Sequence, residues 1–144
     1  MSGVAGNMNG IAAIVGAGLI GRAWARVFAR AGWHVRLFDS APAQLASAQG
    51  LIAASLAEQE KAGLVQDAAA AAARVSISQR LDDAVAGAQW VQENLPEQVE
   101  VKRDAFRAID AIAGEDAIVA SSTSGIRASM FTQDLPGRGR CLAR

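Results

Sequence analysis

The chain has 144 residues, with 14 basic and 14 acidic side chains and one cysteine. The even charge argues against a nucleic-acid or membrane-surface partner, which would leave a basic excess, and one cysteine excludes an internal disulfide and points to the cytoplasm. The length predicts a single domain, no apolar run reaches the length of a transmembrane helix, and residues 1–10 read as a flexible leader without the pattern of a signal peptide.

Residues 11–15 form an apolar run of strand length that leads straight into Gly16, Ala17, Gly18, Leu19, Ile20 and Gly21. A strand, then G-x-G-x-x-G, then a helical pattern is the order of a dinucleotide-binding turn. Gly16 permits the sharp turn, Gly18 lets a pyrophosphate approach the backbone, and Gly21 lets the helix pack close to the strand. The helix start offers free N–H groups and the positive end of its dipole. The helix is predicted over residues 19–31, with Ile20, Ala23, Trp24, Val27 and Phe28 on its apolar stripe and Gly32 just past its end. Residues 33–39 read as a second strand ending in Asp39, 18 residues after Gly21. A carboxylate near this spacing holds an adenosine ribose and favours NAD over NADP, because it repels a 2′-phosphate. The plainer role for Asp39 is a helix-capping acid.

Ser40 as N-cap and Pro42 in the first turn predict a new helix, on which Leu45, Ala48, Ile52 and Leu56 keep a helical spacing up to Gly63. The alanine run 68–73 predicts a short helix, residues 75–78 a short edge strand and residues 81–86 one or two helical turns. Residues 89–95 read as a strand followed by Pro96. A helix then runs from about Glu97 to about Ala113, with Val99, Phe106, Ile109 and Ile112 inward. On such a helix Glu97 and Lys102 stand about 140° apart, so they are not a direct pair, and spacing alone leaves both as structural residues. Residues 116–120 read as a strand leading into Ser121-Ser122-Thr123-Ser124-Gly125. These hydroxyls either cap a short helix over residues 126–131 or line a nicotinamide and substrate pocket. A hydroxyl orients a substrate oxygen but does not serve alone as proton acceptor at neutral pH. Residues 141–143 look like the opening of a strand, with Cys141 a core residue.

Strands alternating with helices predict an α/β, Rossmann-like, doubly wound and mostly parallel sheet with helices on both faces. Ligands then sit outside the carboxyl ends of the strands. Residues 16–21, Asp39, residues 93–97 and residues 121–125 all fall at such ends. His34 is the only histidine, but it starts the second strand, roughly 16 Å from Asp39 at about 3.3 Å per residue. It is therefore badly placed for a general base. Nothing in the sequence reads as a metal cluster or a Walker loop.

GAGLIG, the strand ending in LFD, QENLPE with VKRDAF after it, and ASSTSG together resemble the NAD-binding domain of the 3-hydroxyacyl-CoA dehydrogenases. Within that family the wording is most similar to the lambda-crystallin or L-gulonate 3-dehydrogenase branch. The resemblance implies that Gly16, Ala17, Gly18, Leu19, Ile20 and Gly21 form the pyrophosphate loop and that Asp39 holds the ribose of NAD. It implies that Glu97 and Lys102 contact or organise the NAD site, and that Ser122 lies beside the cofactor where many relatives carry asparagine. It gives Ser124 a contact to the substrate oxygen. It also implies that the general-base histidine, and a helical domain that covers the substrate and builds a homodimer, belong beyond Arg144. The 11–144 unit is then a dinucleotide-binding domain short of its final strand or strands and its substrate domain. Such a chain would bind NAD without turnover, and would expose apolar surface near Cys141 and Leu142. The implied substrate is a small molecule, either a 3-hydroxyacyl-CoA or a hydroxy or sugar acid; no residue clearly matches the family's CoA-contacting lysine. The alternative is a non-catalytic NAD-binding or crystallin-like module.

Overall fold

The computed structural model describes residues 10–143, so most of the leader reading, residues 1–9, lies outside the described residues. Six strands form one sheet: β1 (Ile11–Val15), β2 (His34–Phe38), β3 (Val75–Ile77), β4 (Trp90–Glu93), β5 (Ile118–Ser121) and β6 (Cys141–Ala143). Their order is β3-β2-β1-β4-β5-β6, and every pairing is parallel. This is the doubly wound order, with its switch point between β1 and β4. The helices are α1 (Leu19–Arg30), α2 (Pro42–Lys61), α3 (Ala68–Ala73), α4 (Leu81–Val85), α5 (Val99–Ile112) and α6 (Ser129–Thr132), with a 3-10 turn at Arg138–Arg140. None is long and apolar enough to cross a membrane.

Successive strand residues face opposite sides, and helices cover both sides, so strand residues alternate between two cores. Ile14, Val35 and Leu37 join Ala25, Ala29, Leu45, Ile52 and Leu56 on one face. Ala13, Val15, Val91 and Val119 join Val85, Phe106, Ile109 and Phe131 on the other. Phe106 and Phe131 meet with ring centroids 4.7 Å apart. The register then fixes the site. Phe38, Val15, Glu93 and Ser121 stand in one row across four strands. One residue further on, Gly16 N–H donates to Phe38 O, Asn94 N–H to Val15 O and Ser122 N–H to Glu93 O. The glycine turn, Asn94 and the serine loop therefore leave the sheet at the same level.

Three local expectations need correcting. The fully buried stripe of α1 is Gly21, Ala25 and Ala29; of the expected stripe Trp24 and Phe28 pack against the core, while Ile20 and Val27 are more than half exposed. Small residues win that face because the helix lies close on the sheet. The N-cap of α2 is Ala41, not Ser40, and Asp39 Oδ1 accepts from Ala41 N–H at 2.8 Å. Pro42 does occupy the first turn. Finally, α5 begins at Val99 rather than near Glu97. Cys141 and Leu142 are half-buried.

Candidate functional site

The glycine turn is a steric construction. Gly16 sits at φ +101°, and a Cβ there would lie 2.9 Å from Asn94 O. At Gly21 a Cβ would lie 1.7 Å from Gly16 O, so no side chain fits between α1 and the turn. Gly18 differs: the nearest neighbour of its Cβ position is Gln44 Nε2, at 3.8 Å. Space is open above that backbone. The start of α1 has no side-chain cap and no acid in its first turn, so its first N–H groups, which lack helical acceptors, face outward. Leu19 and Ile20 flank the turn with exposed apolar side chains. An uncapped helix start beside an open glycine fits a phosphate.

Asp39, one residue past β2, ties the second strand to that turn. Its Oδ2 accepts from Ala17 N–H at 2.7 Å and from Gln44 Nε2 at 2.8 Å. Burial pushes this carboxyl up, but the N–H groups of Ala17 and Ala41 and the Gln44 amide outweigh it and hold it below 3.8. Asp39 thus remains a carboxylate beside the open loop, and it also takes the capping role at α2. Gln44 was not legible as a site residue; its only signal was an amide five residues after the acid.

The β4–β5 side is built from charge. Glu93 ends β4 fully buried, and its Oε2 accepts from Lys102 Nζ at 2.8 Å and from Leu95 N–H at 2.6 Å. Ser121 Oγ donates to Glu93 Oε1 and accepts from Thr123 N–H. Lys102 is itself buried, and also donates to Leu95 O at 3.2 Å. A buried ammonium persists only when paired in this way. Glu97 Oε1 lies 3.5 Å from Lys102 Nζ. The angular argument that separated Glu97 from Lys102 fails, because Glu97 precedes the helix and folds back over it.

Glu97 grips the serine loop from outside. It accepts from Thr123 Oγ1 at 2.8 Å, Ser124 N–H at 2.9 Å and Gly125 N–H at 3.0 Å, and from Ser124 Oγ at 3.3 Å. The Thr123 hydroxyl, opposed by desolvation and helped by the Gly125 and Ser124 N–H groups and the Lys102 ammonium, brings its carboxyl down to about 2. The serine loop is therefore held at Ser121 by Glu93 and at its tip by Glu97. Ser122 is wired inward: its hydroxyl accepts from Gln92 Nε2 at 2.9 Å and donates to Asn94 Oδ1 at 2.6 Å. Asn94 Nδ2 in turn donates to Val15 O at 3.3 Å, just before the glycine turn. Glu93 and Asn94 carried no individual signal in the sequence.

His34 is exposed at the opposite end of β2. All the other candidates, namely Gly16, Ala17, Gly18, Leu19, Ile20, Gly21, Asp39, Glu97, Lys102, Ser122 and Ser124, gather at the carboxyl edge of β2, β1, β4 and β5.

The family model for the NAD binding domain of 3-hydroxyacyl-CoA dehydrogenase matches residues 11–144. The chain belongs to this family. It is 38% identical over 133 residues to a lambda-crystallin homolog of Bos taurus, covering 90% of this chain and 41% of that protein. It is 39% identical over 126 residues to an L-carnitine dehydrogenase/betainyl-CoA thioesterase of Rhizobium sp, covering 86% and 24%. Among solved structures, (S)-3-hydroxybutyryl-CoA dehydrogenase from Ralstonia eutropha superposes with a TM-score of 0.84 at 28% identity, covering 94% of this chain and 48% of that one. The chain thus spans less than half the length of these relatives. As a 3-hydroxyacyl-CoA dehydrogenase NAD-binding domain, its cofactor is NAD, and the open Gly18, the uncapped α1 and the ionised Asp39 suit that group.

Proposed function

We propose that this chain is the cofactor-holding part of an NAD-dependent dehydrogenase acting on a 3-hydroxy acid or its CoA thioester. The reading is carried by one observation: the open turn at Gly18, the Asp39 carboxylate and the Glu97-held serine loop line one sheet edge across the switch point. The pyrophosphate lies against Gly16, Ala17, Gly18, Leu19, Ile20 and Gly21, where the first N–H groups of α1 meet it. Asp39 holds the adenosine ribose on the β2 side, steadied by Gln44. The nicotinamide half then crosses to β4 and β5, beside Ser122, Glu97 and Lys102.

Bound NAD supplies the hydride acceptor for C3 of the substrate. Ser124 orients the substrate oxygen, with its own hydroxyl set by Glu97. The hydroxyl proton goes to a base these residues do not supply, since the one histidine is at the wrong end of β2. Removing a catalytic base typically costs about 10² to 10⁴ in rate, so the 144-residue chain binds NAD without turnover. The carnitine and hydroxybutyryl-CoA dehydrogenases among its relatives support the 3-hydroxy substrate class.

Incubating the chain with NAD and 3-hydroxybutyryl-CoA or L-gulonate tests this: cofactor binding without NADH formation is expected, and detectable NADH contradicts it. A cytoplasmic homodimer belongs to the same reading of the whole protein. In light scattering the chain is expected to self-associate, and a clean monomer at all concentrations counts against that. The match to a lambda-crystallin homolog favours a second reading, a non-catalytic NAD-binding module. A reading frame that continues past Arg144 into a histidine-bearing segment supports the enzyme, and a stop codon there supports the module.

A further inference from the structure

The two carboxylates and one ammonium at the β4–β5 edge do not share charge evenly. Lys102 donates to Glu93 at 2.8 Å and to Leu95 O at 3.2 Å, while Glu97 stands 3.5 Å away. Glu93 is fully buried and the Glu97 side chain is 42% exposed. The ammonium is committed to the buried acid. Glu97 keeps its charge and uses its oxygens on Thr123, Ser124 and Gly125. Its carboxyl, held near 2, stays ionised at any working pH. Among the described residues, Lys102 is the one cation paired with either acid. Two carboxylates against one ammonium leave one net negative charge behind the serine loop.

An oxidised nicotinamide ring carries a positive charge that the reduced ring lacks. A fixed negative charge beside the ring favours the cationic form over the neutral one, by an amount that solvent at the partly exposed Glu97 carboxylate reduces. We propose that Glu93 is a positioning residue that biases this site toward oxidised NAD: by committing Lys102, it leaves one net negative charge beside the nicotinamide half. This rests on the placement of the nicotinamide over β4 and β5 proposed above. Glu93 has a mechanical role as well, through Ser121 and Leu95. The redox bias separates the two roles, since loosening a loop has no reason to favour one oxidation state.

The test is calorimetry with NAD+ and with NADH, read as the ratio of the two dissociation constants. Glu93→Gln takes the net charge to zero and frees Lys102 to turn to Glu97. It is expected to weaken NAD+ relative to NADH by about three- to tenfold. Glu93→Asp disturbs the same packing but keeps the net charge. Its ratio should stay within about twofold of the parent chain, since the pair with Lys102 and the outer Glu97 charge are both kept. Should Glu93→Gln not fold, Glu97→Gln removes the same charge from the exposed end, and the same fall is expected. An unmoved ratio in the glutamine variants overturns the proposal, as does an equal shift in Glu93→Asp. A parent chain that binds neither form overturns the nicotinamide reading beneath it, and the proposal with it.

Discussion

The two halves of the site are held by different physics. The β1–β2 half is set by backbone shape: Gly21 has no room for a Cβ, Gly16 needs a positive φ, and Asp39 reaches back to a backbone N–H. The β4–β5 half is set by side-chain charge: a buried lysine pairs with a buried glutamate, and a second glutamate reaches the serine loop. Apart from the Asn94 carbonyl that presses on Gly16, these backbone devices work within one βαβ unit. The charge network joins residues up to 28 apart in sequence, such as Glu93 with Ser121 and Glu97 with Gly125. The first half should therefore fail by steric exclusion, and the second by stranded charge.

Gly21→Ala should give the largest effect. Its Cβ would meet a backbone oxygen that has nowhere to go, and a loss of at least about 4 kcal/mol is expected from urea unfolding. Lys102→Met should follow, because it leaves the Glu93 carboxylate buried and unpaired. That costs about 3–5 kcal/mol, and adding Glu93→Gln should recover most of it. If Lys102→Met costs no more than breaking an exposed pair such as Arg80–Asp82, the contrast between the halves collapses. Gly18→Ala sharpens the steric side. Its Cβ meets nothing closer than 3.8 Å, so stability should hold within about 0.5 kcal/mol. NAD affinity should fall about tenfold, measured by calorimetry, because the lost space is the ligand's.

Acid gives the smallest effect. The Glu97 carboxyl drops from 4.5 to about 2 on folding. Its contribution is therefore complete above about pH 4.5 and is lost as pH falls toward 2. Asp39, lowered from 3.8, acts in the same direction, its contribution present above about pH 3.8 and lost as the pH falls below it. Unfolding midpoints followed across this range should decline less steeply in Glu97→Gln than in the parent chain.

The same contrast decides what could be read from sequence. The strand, glycine turn, helix, strand and Asp39 were legible because each cue acts on neighbours within about 30 residues, the size of one βαβ unit. The α1 stripe was right for Trp24 and Phe28, which pack on the core, and wrong for Ile20 and Val27, because close packing on the sheet selects Gly21, Ala25 and Ala29. Glu97 and Lys102 were separated by a helix that does not reach Glu97: Gln98 N–H turns onto Pro96 O instead, and α5 starts at Val99. Only the family wording gave these two residues a site role. Glu93 looked like the polar end of a strand, since its partners Lys102 and Ser121 lie on other elements. The lesson is that a carboxylate closing a buried strand should prompt a search for a distant cation.

The central claim is that this sheet edge holds NAD, with Asp39 at the ribose. Calorimetric titration of the chain with NAD and with NADP tests it most directly. Tighter binding of NAD, with the preference reduced in Asp39→Asn, is the predicted result. Preference for NADP, or no binding of either dinucleotide, would contradict it.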